Sequence, residues 1–287
     1  MMSKKIILGT VQFGMDYGIN NLSGRPTEKK IEEILNYSFD NEIRTLDTAD
    51  MYGNAPEIIG KYNQSNTRKF RVNTKFIANE LSLIDQIKYS SSRLRVENID
   101  VYFIHNFRDF FNHPGMMAHL VELKERRYFN KLGLSVYDND EFLHACESDS
   151  IDVIQLPFNL LDNYGQRGEL IKLAKQNGKE IQVRSVFLQG LFFKSLSKMP
   201  NMLKPLIPYL ERIHEIARAE NITIENLALN YAIQQDDIDN VIIGVDSIKQ
   251  LKLDLENINV PLSAETIGYV NQIFVKESEL LYPKNWN

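Results

Sequence analysis

Four side chains capable of proton chemistry stand at, or just beyond, the ends of short apolar runs early in this chain. They are Asp47 in Leu46-Asp47-Thr48-Ala49, Tyr52 in Met51-Tyr52-Gly53, Lys75 in Asn73-Thr74-Lys75 and His105 in Tyr102-Phe103-Ile104-His105-Asn106. Tyrosine, with an ordinary pKa of about 10, is a poor acid at neutral pH unless its phenolate is stabilised. A lysine ammonium beside it does that, and a carboxylate keeps the lysine charged and oriented. A histidine can donate to, and so orient, a substrate oxygen. Singly, each residue also has a plain structural explanation: a helix cap, a packing ring, a strand-end charge, a satisfied core histidine. Together, the four make a site in which a buried phenol hands over a proton.

Such a site requires elements that bring distant strand ends to one place. Short β-branched or aromatic runs alternate with longer amphipathic segments along the whole chain. Strands are expected over 5–8, 44–47, 70–74, 100–105, 131–135, 152–156, 180–184 and 240–243. Helices are expected over 27–41, 55–62, 81–95, 114–125, 140–146, 164–177, 224–234 and 247–256. Thr27 can cap its helix, with Ile31, Ile34 and Leu35 following at helical spacing. Eight β–α units with no linker imply parallel pairing and closure into a (β/α)8 barrel, an α/β fold spanning 1–287 as one domain. An open doubly wound sheet would want a Gly-rich turn after the first strand, and Gly9-Thr10-Val11-Gln12-Phe13-Gly14 is not that fingerprint. Two helices exceed the eightfold count: 203–220, before the eighth strand, and 264–275 in the C-terminal tail, which ends with the sole tryptophan, Trp286, next to Asn287. In a barrel the loops after the strands meet at one face, so Asp47, Tyr52, Lys75 and His105 are expected to converge there.

Composition narrows the class of activity. The 287 residues are 43% hydrophobic, enough for a large core, and the formal net charge of -5 argues against a nucleic-acid surface. Cys146, the single cysteine, excludes an intrachain disulfide and a thiolate metal cluster, and reads as a small packed residue. No apolar run reaches the roughly 18 residues of a membrane span, and the first ends at Gly9, too short for a signal peptide. A soluble cytoplasmic protein acting on a small molecule is expected. Of the five histidines only His105 ends a strand, which sets aside a metal-dependent barrel hydrolase.

The stretch Leu46-Asp47-Thr48-Ala49-Asp50-Met51-Tyr52-Gly53-Asn54-Ala55-Pro56-Glu57 resembles the first signature of the aldo-keto reductases, and Asp47, Tyr52, Lys75 and His105 resemble their catalytic tetrad in order and spacing. The resemblance runs nearly the length of the chain and implies a carbonyl reductase that uses a nicotinamide nucleotide, with Tyr52 as proton donor. Gly133-Leu134-Ser135 is similar to the strand end where a serine holds the nicotinamide carboxamide, and Gln155 matches the glutamine that also grips it; Val136 replaces a common asparagine. Arg184-Ser185-Val186-Phe187-Leu188-Gln189-Gly190-Leu191 resembles the loop that lies along the pyrophosphate, which places Ser185 and Gly190 there. Members with a tyrosine near Ser185 stack it on the nicotinamide; Phe187 is the aromatic available here.

At Ile242-Ile243-Gly244-Val245-Asp246-Ser247-Ile248-Lys249-Gln250 the family binds the adenosine phosphate, on a helix N-terminus suited to anions. Gly244 and Gln250 fall where NADPH-preferring members carry basic residues, Ser247 and Lys249 can serve, and Asp246 would repel a 2′-phosphate. Family habit puts NADP(H) narrowly first, with NAD(H) the alternative. The resemblance implies a substrate pocket lined by Gln12, Phe13 and Tyr17, by Phe107 and Arg108 after His105, and by the tail with Trp286. Arg108 is the candidate to meet a carboxylate or phosphate. The opening from Leu8 to Ile19 is similar to bacterial members acting in sugar or surface-polysaccharide pathways, pointing to a keto-sugar or sugar aldehyde. The alternative from another class is a nicotinamide-nucleotide-sensing subunit with negligible turnover.

Overall fold

Strands β1 (Ile6–Gly9), β2 (Thr45–Asp47), β3 (Arg71–Phe76), β4 (Ile99–Ile104), β5 (Phe129–Ser135), β6 (Val153–Pro157), β7 (Glu180–Arg184) and β8 (Asn240–Gly244) pair in parallel and close a barrel in chain order. The computed structural model describes residues 2–21 and 24–286; Leu22 and Ser23, and the ends Met1 and Asn287 of the expected 1–287 domain, lie outside the described residues. Around the barrel run α1 (Val11–Gly14), α2 (Glu28–Asp40), α3 (Ala55–Ser65), α4 (Leu83–Leu94), α5 (Phe107–Asn112), α6 (Pro114–Glu125), α7 (Asn139–Glu147), α8 (Tyr164–Gln176), α9 (Ile207–Ala219), α10 (Ile224–Ile233), α11 (Ile248–Asn257) and α12 (Ala264–Asn271). Each strand lies within two residues of the bounds expected from periodicity.

The two strand faces do different work. One face packs outward under the helices: Leu8, Leu46, Phe76, Tyr102, Leu134, Ile154, Val183 and Ile243 share one apolar cluster with Ile34, Ile59, Ile87, Leu120, Phe142, Ile171, Leu227 and Leu251 of the helical ring. The other face fills the barrel. There Val101, Phe103 and Val153 form a separate small cluster, and the amide of Asn73 on β3 donates to Gln182 on β7, across the lumen, at 3.3 Å. Phe103 pairs with Gly133, where a Cβ would stand 2.3 Å from its ring, so the missing side chain on β5 makes room for the large one on β4. Parallel register and the two-residue period then place Asp47, Lys75, Ser135 and Gln155 on this same inner face, near the C-terminal ends of their strands.

The helix ends follow local chemistry. Thr27 accepts from the Lys30 amide, Ser82 from Asp85 and Asn106 from Asp109, each satisfying an otherwise free N-terminal donor. The expected helix 203–220 is divided: a 3-10 turn covers Asn201–Leu206 and α9 begins afterwards, because Pro205 and Pro208 remove backbone donors at that point. The tail helix stops at Asn271, short of the expected 275, where Asn163 Nδ2 takes the carbonyls of Val270 and Ile273 at 3.0 and 2.8 Å. Cys146 is buried in α7, its thiol pushed up to about 11 by burial, which makes it inert. Among the described residues no helix is long and apolar enough to cross a membrane.

Candidate active site

Asp47 closes β2, Lys75 is the penultimate residue of β3, and His105 follows β4 directly. Tyr52 arrives from the β2–α3 loop, which turns back through Tyr52 N to Ala49 O and Ala55 N to Tyr52 O, both at 3.0 Å. Lys75 Nζ lies 2.5 Å from Asp47 Oδ2 and 3.1 Å from the Thr48 carbonyl. Gln155 Nε2 donates to the other carboxylate oxygen at 2.9 Å, reaching from β6 across the barrel. The Tyr52 and His105 rings meet edge to face with centroids 6.3 Å apart, and Lys75 Nζ is 5.6 Å from the Tyr52 centroid. The structure brings all four tetrad candidates together at one mouth of the barrel, on a single cavity of about 370 Å³.

Burial governs the charge states. It pulls the Lys75 ammonium down, against the raising influence of Asp47. It also pushes the Tyr52 phenol well above its ordinary value, reinforced by the Asp47 charge, so the hydroxyl stays protonated. The Arg184 charge draws the phenol back down in part, and Lys75 Nζ, 5.6 Å from the ring centroid, is paired with Asp47. His105 falls to about 3, through burial first and then Lys75 and Arg184, which leaves it a neutral imidazole with a single N–H donor.

Of the cofactor-contact candidates, Ser135, Ser185, Phe187, Gly190, Gly244 and Gln250 line the cavity. Ser185 sits at φ 63 and Gln189 at φ 53, left-handed conformations that non-glycine residues adopt at a cost. They fold the β7 loop back, so that Gln189 O accepts from Ile19 N at 3.1 Å and Gly190 O from Asn20 Nδ2 at 2.5 Å. The loops after β1 and β7 thereby meet beside the cavity. Gln155 is fully buried beneath the lining and spends its amide nitrogen on Asp47. Ser247 is outside the lining too: its hydroxyl accepts from the Gln250 amide at 3.4 Å and caps α11.

The substrate-pocket candidates divide. Gln12 and Tyr17 line the cavity. Phe13 does not; it is fully buried in α1 and belongs to the core. Phe107 and Arg108 are carried off by α5, capped by Asn106: Phe107 packs against Phe110 and His144, ring centroids 5.6 Å away in each case, and Arg108 points to solvent. Trp286 is a half-buried anchor of the tail whose Nε1 donates to Leu280 O at 2.8 Å, away from the lining. The lining also contains Tyr137, Arg184, Asn20, Glu225 and Asp254, to none of which the sequence alone assigned a role of its own. Two of these were within reach. The two-residue period that puts Gly133 and Ser135 on the inner face continues to Tyr137, and the one that puts Gln182 there continues to Arg184.

The model of the aldo/keto reductase family matches residues 5–274. An NADH-specific methylglyoxal reductase from Escherichia coli (strain K12) is 26% identical over 200 residues, a match spanning 63% of this chain and 61% of that protein. D-arabinose 1-dehydrogenase of Saccharomyces cerevisiae is 23% identical over 287 residues, covering 89% of this chain and 83% of the yeast protein. Among solved structures, the holo form of an aldo-keto reductase from Bacillus halodurans superposes with a TM-score of 0.76 at 20% identity, over 96% of this chain and 94% of that one. At that identity the likeness concerns the fold.

Proposed function

Because the chain belongs to the aldo/keto reductase family, we propose that it is a cytoplasmic, nicotinamide-dependent reductase of a small aldehyde or ketone. The observation that carries this reading is the buried Lys75–Asp47 pair set under a cavity that Tyr52 and His105 also line.

Unpaired acceptors in the lining and just beneath it support a nicotinamide nucleotide as the ligand. Gln155 Oε1, His105 Nδ1 and Gln12 Oε1 are buried with no hydrogen-bond partner among the described residues, a set of acceptors suited to an incoming amide or hydroxyl. At Gly244 a Cβ would stand 2.6 Å from the Gln12 amide, so glycine keeps the end of β8 open. Ser135 and Gln155 would hold the carboxamide, Phe187 would lie beside the ring, Ser185 and Gly190 would follow the pyrophosphate, and Gly244 and Gln250 would flank the adenosine, with Ser247 acting through the first turn of α11. A bound reduced nicotinamide supplies the hydride for the carbonyl carbon. Tyr52, kept protonated by burial, gives its proton to the carbonyl oxygen. Neutral His105 donates an N–H to that oxygen and orients it. Lys75 stabilises the phenolate left behind, and Asp47 holds Lys75 in place.

The far end of the cavity favours NAD(H). Glu225 at the start of α10, Asp246 after β8 and Asp254 on α11 contribute to the lining there, and the lysine and arginine of the lining, Lys75 and Arg184, stand on the tetrad side. Glu225 and Asp246, joined by Asp254 as it ionises, oppose a dianionic 2′-phosphate, which weighs for NAD(H) against the family habit that puts NADP(H) narrowly first. The relation to an NADH-specific methylglyoxal reductase agrees with this reading.

The test is titration with NADH and NADPH, followed by quenching of Trp286 and tyrosine emission, and then addition of an aldehyde while nicotinamide absorbance is monitored. Binding with turnover supports the reductase. Binding without turnover of any aldehyde or ketone would point to a nucleotide-sensing subunit, and failure to bind either nucleotide would sink both readings.

A further inference from the structure

The cavity wall contains a guanidinium that no carboxylate of the described residues neutralises. Arg184 ends β7 on the inner face, two residues beyond Gln182, and is half-buried in the lining. Its Nη2 donates to the Val136 carbonyl at 3.2 Å, and its Cζ lies 4.4 Å from the centroid of Tyr137, which also lines the cavity. Among the described residues it has no ion pair. By contrast Lys75 is matched by Asp47, Arg167 by Asp162 and Arg93 by Glu57, and buried Lys179, which has no carboxylate among the described residues, gives its protons to the carbonyls of Ser148 and Ile151. A fixed, partly desolvated guanidinium with its fork unfilled is a receptor for an anion, because carboxylate and phosphate oxygens satisfy its donors in pairs.

Two anions could reach it: a charged group on the carbonyl substrate, or the diphosphate of the cofactor. Its position favours the first. The Arg184 charge is felt by Tyr52, Lys75 and His105, the groups between which a reacting carbonyl must sit. Its supports, Val136 and Tyr137, continue the same β5 end that presents Ser135. We propose that Arg184 binds a carboxylate or phosphate on the substrate, so that the enzyme acts on anionic aldehydes or ketones, a class that includes keto-sugars carrying such a group. This rests on the reductase reading above. It moves the anion contact expected of Arg108 to a residue that faces the chemistry.

The experiment compares size-matched substrates: 4-oxobutanoate with butanal, and glyceraldehyde 3-phosphate with glyceraldehyde, for the full chain and for Arg184→Gln and Arg184→Lys. The wild type should prefer the anionic member of at least one pair by about tenfold or more in kcat/KM, and that pair identifies the anion. Arg184→Gln should lower this ratio by about tenfold, mainly through KM of the anionic substrate, and Arg184→Lys should recover part of it, since it keeps the charge but loses the fork. An unchanged ratio in Arg184→Gln would overturn the inference alone. Equal losses on both members together with weakened NADH binding would also overturn it, by placing the guanidinium on the cofactor diphosphate. Should Arg184→Gln not fold, inhibition of the wild type by butyrate decides: competition with butanal supports the proposal, and competition with NADH alone defeats it. Absence of turnover with every aldehyde would overturn the reductase reading and this inference with it.

Discussion

Lys75 Nζ lies 2.5 Å from Asp47 Oδ2, and the two side chains keep only 2% and 6% of their exposure. Gln155 takes the second carboxylate oxygen from across the lumen. Two charges so deeply buried are tolerable only because each is the other's partner and hydrogen bonds satisfy what remains. The same pair that would tune Tyr52 therefore also ties β2, β3 and β6 together at the mouth of the barrel.

Breaking that pair should be costly twice over. Asp47→Asn leaves the Lys75 ammonium buried without a counter-charge, and loss of about 3–5 kcal/mol is expected in urea denaturation at pH 7. Turnover should fall as well. A loss below about 1 kcal/mol, a value typical of exposed pairs, would mean that the site is wetter than the structure shows.

Tyr52→Phe removes a hydroxyl and little else. The expected result is a fall in kcat of about 10²–10⁴-fold with NADH affinity retained, because the deleted group is the proton donor. Near-normal turnover in this variant would dismiss Tyr52 from its role.

His105 carries a pH signature. Its folded-state pKa of about 3 lies below its ordinary 6.5, so its contribution to stability is complete above 6.5 and lost as pH falls toward 3. Between those limits the wild type should lose stability relative to His105→Gln by up to about 1.4 kcal/mol per pH unit. Denaturation curves of both proteins at pH 7, 6 and 5 would check this, and parallel losses in the two would count against a buried neutral imidazole. The pH–rate profile should show no ionisation of this histidine near 6.5.

Asp254 is pushed up to about 7 by burial and by the Glu225 charge. It is therefore largely neutral below pH 7 and negative above. Its folded pKa exceeds the unfolded one, so stability falls as pH rises from about 4 to 7, and Asp254→Asn should stabilise the protein at pH 8. The same ionisation should bias cofactor choice. The NADPH-to-NADH ratio of Kd values should rise several-fold between pH 6 and 8 in the wild type, and markedly less in Asp254→Asn. Equal pH dependence in both proteins would remove Asp254 from cofactor selection.

Gly14 is where the β1 loop touches the loop that presents the phenol. A Cβ there would stand 1.9 Å from the Tyr52 carbonyl, a backbone atom with nowhere to go. Gly14→Ala should displace Tyr52 and lower kcat by about 10²-fold, in line with a misplacement of roughly 1 Å. Steady-state kinetics beside a melting curve would separate this from unfolding; unchanged kcat would show that the contact is not transmitted to the hydroxyl.

Periodicity alone identified the eight strands to within two residues, the closed barrel they form, and the side of it on which Asp47, Tyr52, Lys75 and His105 gather. Those features depend on local alternation and on the rule that strand ends share a face, and both are written along the chain. The tertiary structure decided the rest. Phe13 lies in the core, and Phe107 and Arg108 lie outside the cavity lining, because the short helices α1 and α5 carry them there. Gln155 meets Asp47 from 108 residues away, and Arg184 is held by a carbonyl 48 residues away. Which polar groups end up paired, and which stay open to a ligand, depends on register across the lumen, a relation between distant segments that no local pattern encodes.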